Sequence, residues 1–192
     1  MQIKRLFKSD HHGDFNSLAF CDKIILMENK QTGTIILASK NHIELILEEM
    51  KLLKNEFSHS FFVASTPEEL DFVINKGNGF ILLNMIEDKL GGGVIVIYPN
   101  SQMHYLSNHP FSSCAIIDSI FLNPSFRKRG IASTLLEIAI SKIVDRRFIY
   151  ASVALDNTSS QNLFFRHGFK TFEQKKLYND YPRLVLLLEK SN

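Results

Sequence analysis

Residues 115–154 constrain the fold of this chain more than any other stretch. An apolar, β-branched run over 115–122 ends at Asn123-Pro124-Ser125, and a basic turn with one glycine follows, Phe126-Arg127-Lys128-Arg129-Gly130. Ile131, Leu135, Ile138 and Ala139 then recur at helical spacing up to about Asp145, and residues 148–154 return to strand composition. A strand, a basic glycine loop, a helix and a second strand make a βαβ unit, which places two strands parallel in one sheet with a helix across it.

The flanking elements extend that sheet. Residues 23–28 and 34–38 read as two short strands around the polar turn 29–33. Ile43, Ile46, Leu47, Met50 and Leu53 predict an amphipathic helix, with Asn41 and Glu44 as its capping pair. A short apolar run over 61–64 follows. Thr66-Pro67-Glu68-Glu69 then opens a second helix, with proline at the first helical position and glutamate at the third. Residues 80–86 and 94–98 form a hairpin around the charged, glycine-rich stretch 87–93, and a Ser/Asn/His/Pro loop over 99–113 leads into the βαβ unit. A short helix over about 158–167 breaks at Gly168, and strands over about 169–177 and 183–189 finish the chain. The predicted class is α/β, with a mixed, mostly antiparallel central sheet flanked by helices.

Of the 192 residues, 45% are hydrophobic and 22% charged, enough apolar surface for a packed core and too much for global disorder. With no repeat or linker, one domain over 1–192 is expected. No apolar run approaches the roughly 20 residues of a membrane helix, and the start lacks the apolar core of a signal peptide. A net charge of +2 disfavours nucleic acid or anionic lipid as a partner of the whole surface, so any electrostatic function is local. Cys21 and Cys114 are far apart and outside any CxxC pattern, which points to a reducing, cytoplasmic setting.

Backbone N–H groups at a helix start are unpaired and partially positive, so a strand that turns through Gly130 into a helix is suited to a phosphate or pyrophosphate. Gly130 lets the backbone approach an anion and Ala132 keeps the next turn small. Taken alone, Arg127, Lys128 and Arg129 are equally a solvated turn. The loop lacks the Gly-Lys-Ser/Thr of a nucleotide-binding P-loop and the Gly-x-Gly-x-x-Gly of dinucleotide-binding folds. Arg127-x-x-Gly130-x-Ala132 resembles motif A of the GNAT superfamily of acyl-CoA-dependent N-acyltransferases, Arg/Gln-x-x-Gly-x-Gly/Ala. Residues 157–169, an asparagine after a strand and then a short helix ending in Gly168-Phe169, resemble that family's motif B. The hairpin resembles its second and third strands. The resemblance covers residues 60–190, while residues 1–40 match it poorly.

The resemblance implies acetyl-CoA as cosubstrate and an unidentified amine of a small molecule or peptide as acceptor. Backbone groups of Ile120, Phe121 and Leu122 would pair with the pantetheine arm, as an added strand does. The loop of Arg127, Lys128, Arg129, Gly130, Ile131 and Ala132 would hold the pyrophosphate. Asn157 would bind the pantetheine, with Ser160, Phe164 and Phe165 near the rest of the cofactor. An amine that titrates near ~10.4 must lose a proton before attacking the thioester. Asp118 is the candidate base, because alternation puts it on the strand face of Ile120 and Leu122; a structural carboxylate is the alternative. A backbone N–H near Leu122 would stabilise the oxyanion. Phe164 stands where many members carry a tyrosine that protonates the leaving thiolate, so either Tyr178 or Tyr181 supplies that acid or none is needed. A non-catalytic acyl-CoA-binding sensor or interaction module is the rival reading, and a homodimer stays open.

Other features read plainly. His11-His12 are solvated rather than metal-binding. Cys114 is a small buried thiol. Gly91-Gly92-Gly93 either make the hairpin turn or leave room for an acyl chain or substrate. Tyr105, Phe111 and Tyr181 are the aromatic candidates for contact with an acceptor.

Overall fold

The computed structural model describes residues 25–29, 33–56, 62–100, 108–178 and 180–190. The described strands are β1 (Ile25–Asn29), β2 (Gly33–Leu37), β3 (Gly79–Ile86), β4 (Lys89–Ile97), β5 (Cys114–Leu122), β6 (Phe148–Ala154), β7 (Lys170–Leu177) and β8 (Tyr181–Glu189). They form one sheet in the order β1-β2-β3-β4-β5-β6-β8-β7. Each neighbouring pair is antiparallel except β5 and β6, which run parallel as the βαβ reading requires. The expected class and mixed sheet are those observed. His11, His12, Cys21, Phe61 and Tyr105 lie outside the described residues. No helix among the described residues is long and apolar enough to cross a membrane.

The helices are α1 (Ile43–Glu56), α2 (Pro67–Ile74), α3 (Ile131–Lys142) and α4 (Thr158–Arg166). Ile46, Met50 and Leu53 of α1 and Leu70 and Val73 of α2 pack with Ile81, Leu83, Ile95 and Tyr150 on one face of the sheet. Ile131, Leu135, Leu136 and Ala139 of α3 and Leu163 and Phe164 of α4 pack with Leu82, Val94, Val96 and Ile149 on the other. The central strands β3 and β4 therefore feed both cores by alternation, Phe80 and Leu82 to one side and Ile81 and Leu83 to the other. Cys114 is buried, as expected, in the α1/α2 core.

Three local expectations are corrected. The cap before α1 is Ser39 with His42, not Asn41 with Glu44. The Ser39 N–H donates to His42 Nδ1 at 3.0 Å, and a 3-10 turn over Lys40–His42 precedes the helix. Extended backbone at Ser39, one residue past the last sheet bond at Ala38, makes the earlier serine the point where the chain turns. Thr66 caps α2 as predicted, its Oγ1 accepting from the Glu69 N–H at 3.2 Å. The helix α3 stops at Lys142 rather than near Asp145. Ile143 leaves helical dihedrals there, and the Lys190 ammonium donates to the exposed carbonyls of Ile140 and Ile143.

The third correction concerns the hairpin. Its turn is only Glu87-Asp88, both at positive φ (49° and 62°), as a two-residue turn matched to the sheet twist requires. The three glycines lie inside β4, and the space they leave is already filled. A Cβ on Gly93 would come within 2.6 Å of the Phe121 ring and 2.9 Å of the Leu82 carbonyl oxygen, and one on Gly92 within 2.5 Å of the Phe121 carbonyl oxygen and Leu122. The glycines admit neighbouring β-strand atoms rather than an acyl chain. Gly93→Val should destabilise the protein by about 1–3 kcal/mol, the usual cost of overpacking, because one of its contacts is backbone. Urea unfolding followed by circular dichroism measures this, and an unchanged midpoint would contradict the packing described.

Candidate active site

The parallel ladder between β5 and β6 is short. It pairs Cys114 with Phe148, Ala115 with Ile149, Ile116 with Tyr150 and Ile117 with Ala151, then stops. Beyond that point β5 stays paired with β4 as far as Leu122 opposite Gly92, and β6 stays paired with β8 as far as Ala154 opposite Arg183. The two strands thus part, and among the described residues the β5 edge over residues 118–122 has no strand partner on the β6 side, which leaves a gap there. Backbone donors and acceptors on such an edge are a template for an extended polar ligand.

The divergence begins at a bulge. Ile95 faces Ser119 and Val96 faces Ile117, which leaves Asp118 as the extra residue. The bulge shifts the alternation by one. Ala115 and Ile117 pack on the α3 side, and so do Ile120 and Leu122, whereas Cys114, Ile116 and Phe121 pack on the α1/α2 side. Asp118 therefore does not share the face of Ile120 and Leu122, as simple alternation had suggested.

Asp118 instead senses residues of the opposite face. Its carboxyl is pushed up to about 6, chiefly by burial and then by the negative charge of Glu69 on α2. A hydroxyl bond from Ser119 at 3.4 Å and the positive charge of Arg183 oppose the rise. Arg183 is itself buried. It donates from Nε to Ser152 Oγ at 3.2 Å and from Nη2 to the Ser152 carbonyl at 2.9 Å, and its guanidinium lies 5.0 Å from the centre of the Tyr178 ring. Arg183 thus brings the β7–β8 turn, with Tyr178, toward the Asp118 side of the gap. Tyr181, half-buried, opens β8 two residues earlier.

At the far end of β5 the chain turns through a 3-10 segment, Pro124–Phe126, and enters α3. Lys128 (φ 64°) and Gly130 (φ 80°) both take left-handed backbone. Gly130 occupies the N-cap position, no side chain caps the helix, and its first turn holds no acid. The first-turn N–H groups thus keep their positive end uncompensated. A Cβ at Gly130 would meet nothing within 4 Å, so the space before the helix is open. Lys128 and Arg129 are exposed there, and the Arg129 guanidinium lies 5.1 Å from the centre of the Phe126 ring. Arg127 is differently placed, since both of its terminal nitrogens donate to Glu56 of α1, at 2.5 and 2.7 Å.

On the other wall, Asn157 is the N-cap of α4, its Oδ1 accepting from the Ser160 N–H at 3.0 Å. Gln161 Nε2 donates to the carbonyls of Ala154 and Leu155, which holds α4 to the end of β6. Phe165 is 41% exposed, whereas Phe164 is buried edge-on to Phe169 in the α3-side core. Ser133 in the first turn of α3 lies 3.1 Å from His167 Nε2, and His167 Nδ1 lies 2.9 Å from the Leu163 carbonyl. Phe111, by contrast, sits at the opposite end of β5 from the basic loop.

Arg183, Gln161, His167, Glu49 and Glu56 were not singled out by the sequence. Arg183 left a signal, as the one charged residue in the otherwise apolar run of residues 181–188.

Residues 46–169 match the model of the acetyltransferase (GNAT) family. No curated protein matches the chain significantly. Among solved structures, a GNAT-family acetyltransferase from Streptococcus pneumoniae aligns at 19% identity and TM-score 0.64, over 82% of this chain and 98% of that one. Arabidopsis thaliana NAA60 in complex with acetyl-CoA aligns at 17% identity and TM-score 0.63, over 81% and 97%. The NatC complex bound to Gag peptide and CoA aligns at 16% identity and TM-score 0.64, over 86% and 100%. At these identities the likeness is one of fold.

The raised carboxyl predicts a pH effect on stability. Because Asp118 titrates higher in the folded chain than its ordinary 3.8, folding loses stability as pH rises from about 4 to about 6. Asp118→Asn should remove this loss, so the variant gains on wild type across that window and the gain levels off above it. Thermal melts at pH 4, 5, 6 and 7 measure the difference, and a constant difference would contradict the raised titration of this carboxyl.

Proposed function

From the premise that the chain belongs to the GNAT acetyltransferase family, we propose that it transfers an acetyl group from acetyl-CoA to a primary amine of a small molecule or peptide. The observation that carries this reading is the continuity of the unpaired β5 edge with the open start of α3. A strand edge suits the amides of a pantetheine arm, and a helix N-terminus suits a pyrophosphate. The two lie in sequence order along one turn, as one extended ligand with both groups requires. Acetyl-CoA and CoA bound in the neighbouring structures support the same choice of cosubstrate.

In this reading, backbone groups of Ile120, Phe121 and Leu122 pair with the pantetheine, and the loop from Arg127 to Ala132 holds the pyrophosphate on its N–H groups. The exposed Lys128 and Arg129 add positive charge. Asn157, Ser160 and Phe165 line the α4 side, and Phe164 backs them from the core. Asp118, on the α1/α2 face, accepts the proton of the incoming ammonium, and transfer then proceeds by direct attack within a ternary complex. A β5 backbone N–H near Leu122 stabilises the oxyanion. With phenylalanine at 164, the departing thiolate takes its proton from Tyr178 or Tyr181 of the β7–β8 turn, or from water. The chain works in the cytoplasm.

Phe164 also favours a second reading, a sensor that binds acyl-CoA and transfers nothing. Calorimetry with acetyl-CoA tests what the readings share. Wild type should bind at micromolar concentration, and Gly130→Glu should abolish binding, because it strains a left-handed position and adds negative charge beside the pyrophosphate. Thiol release with a panel of amines then separates them, since the sensor releases none. For the enzyme, kcat/KM should fall about tenfold per pH unit below the Asp118 pKa of about 6, and Asp118→Asn should lower kcat by roughly 10²-fold or more. Undiminished turnover in that variant would remove Asp118 from the mechanism.

A further inference from the structure

Glu49 and Glu56 are seven residues apart on α1, which puts them two turns along the same helix face. Both reach the segment that leads from β5 into the basic loop. Glu56 receives both terminal nitrogens of Arg127 in a fork. Glu49 Oε2 accepts from Asn123 Nδ2 at 3.2 Å. Asn123 in turn fixes the turn, its Oδ1 accepting from the Ser125 N–H at 3.0 Å and its own N–H donating to the Gly91 carbonyl at 3.0 Å.

Glu49 is 7% exposed, and its Oε1 has no hydrogen-bond partner among the described residues. Burial pushes its carboxyl above the ordinary range, against the pull of Asn123 and of the Arg127 charge. A half-satisfied buried acid is costly, and an apolar residue of similar size would avoid that cost, so core packing does not account for glutamate here. What Glu49 does hold is the side chain that shapes the turn. Arg127 is equally committed. A forked guanidinium engaged by one carboxylate has turned its best geometry away from any phosphate, while Lys128 and Arg129 stay exposed to the open space before α3.

We propose that Glu49, Glu56 and Arg127 are positioning residues of the cofactor loop: α1 fixes the direction of the turn, and the Arg127 side chain acts through Glu56 rather than on the pyrophosphate. The inference rests on the cofactor reading above and assigns to α1 a part in it. Because α1 packs on the face that carries Asp118 and Arg183, the cofactor loop is tied to the side of the sheet where the acceptor is expected.

A charge swap separates positioning from direct contact. Acetyl-CoA is titrated calorimetrically into wild type, Glu56→Arg, Arg127→Glu and the double variant, with thermal melts to establish folding. Each single reversal should weaken binding by about fivefold, the scale of a partly exposed pair, and the double variant should recover to within about twofold of wild type. Glu56→Gln, milder and less prone to misfold, should weaken binding about twofold. Glu49→Gln keeps an acceptor for Asn123 and should bind like wild type, whereas Glu49→Leu should not, and KM for acetyl-CoA should rise more than kcat falls. A double variant no better than Arg127→Glu alone would mean that Arg127 meets the cofactor directly, and wild-type affinity in Glu56→Arg would mean that the pair positions nothing. Either result, with wild type still binding and Gly130→Glu not, would overturn this inference alone. Absence of binding by wild type would overturn the cofactor reading and this inference with it.

Discussion

Four residue pairs hold β5 to β6, and the separation of the two strands after Ile117 and Ala151 is the constraint on which the site depends. Had the ladder continued, the edge of β5 would be an ordinary interior strand with every polar group satisfied. The bulge at Asp118 makes the break tolerable, because β5 pairs with β4 on both sides of it, from Ile116 to Leu122, and so continues after its pairing with β6 has ended. The same extra residue moves a carboxylate onto the α1/α2 face at the mouth of the gap. One irregularity in backbone pairing therefore accompanies both a strand edge with no strand partner among the described residues and a half-buried acid beside it.

The free edge leads directly into the start of α3, and that junction is braced from several directions. Ile131, Leu135 and Ala139 anchor the helix in the core. His167 reaches Ser133 from the end of α4, and Glu56 grips Arg127 from α1. Anion binding by backbone N–H groups depends on their direction more than on added charge, so rigid bracing of a short loop matters more than a large basic patch. This agrees with a chain whose net charge is only +2.

Much of this architecture is legible in the sequence, because strand and helix periods carry it. The βαβ unit, the Thr66 cap and the Gly130 turn are each set by residues within a few positions of one another. Most of the rest depends on contacts between residues distant in sequence. The glycines of β4 look like turn residues until Phe121 and Leu122 of the next strand are seen packed over them. Asp118 looks in phase with Ile120 until the pairing with β4 reveals the extra residue. The tie between Arg127 and Glu56 joins positions 71 residues apart, which no local pattern encodes. Glu49 was invisible for the same reason, since a glutamate on an amphipathic helix reads as solvent-facing until Asn123 is found beside it.

The most direct measurement of the central claim is amide hydrogen exchange of the full chain with and without acetyl-CoA. If the cofactor completes the β5 edge, protection should rise over residues 118–122 and over the first turn of α3, with little change in β7 and β8. Saturating acetyl-CoA that leaves the β5 amides exchanging as before would contradict the account, because the gap between β5 and β6 would then not be where the ligand lies.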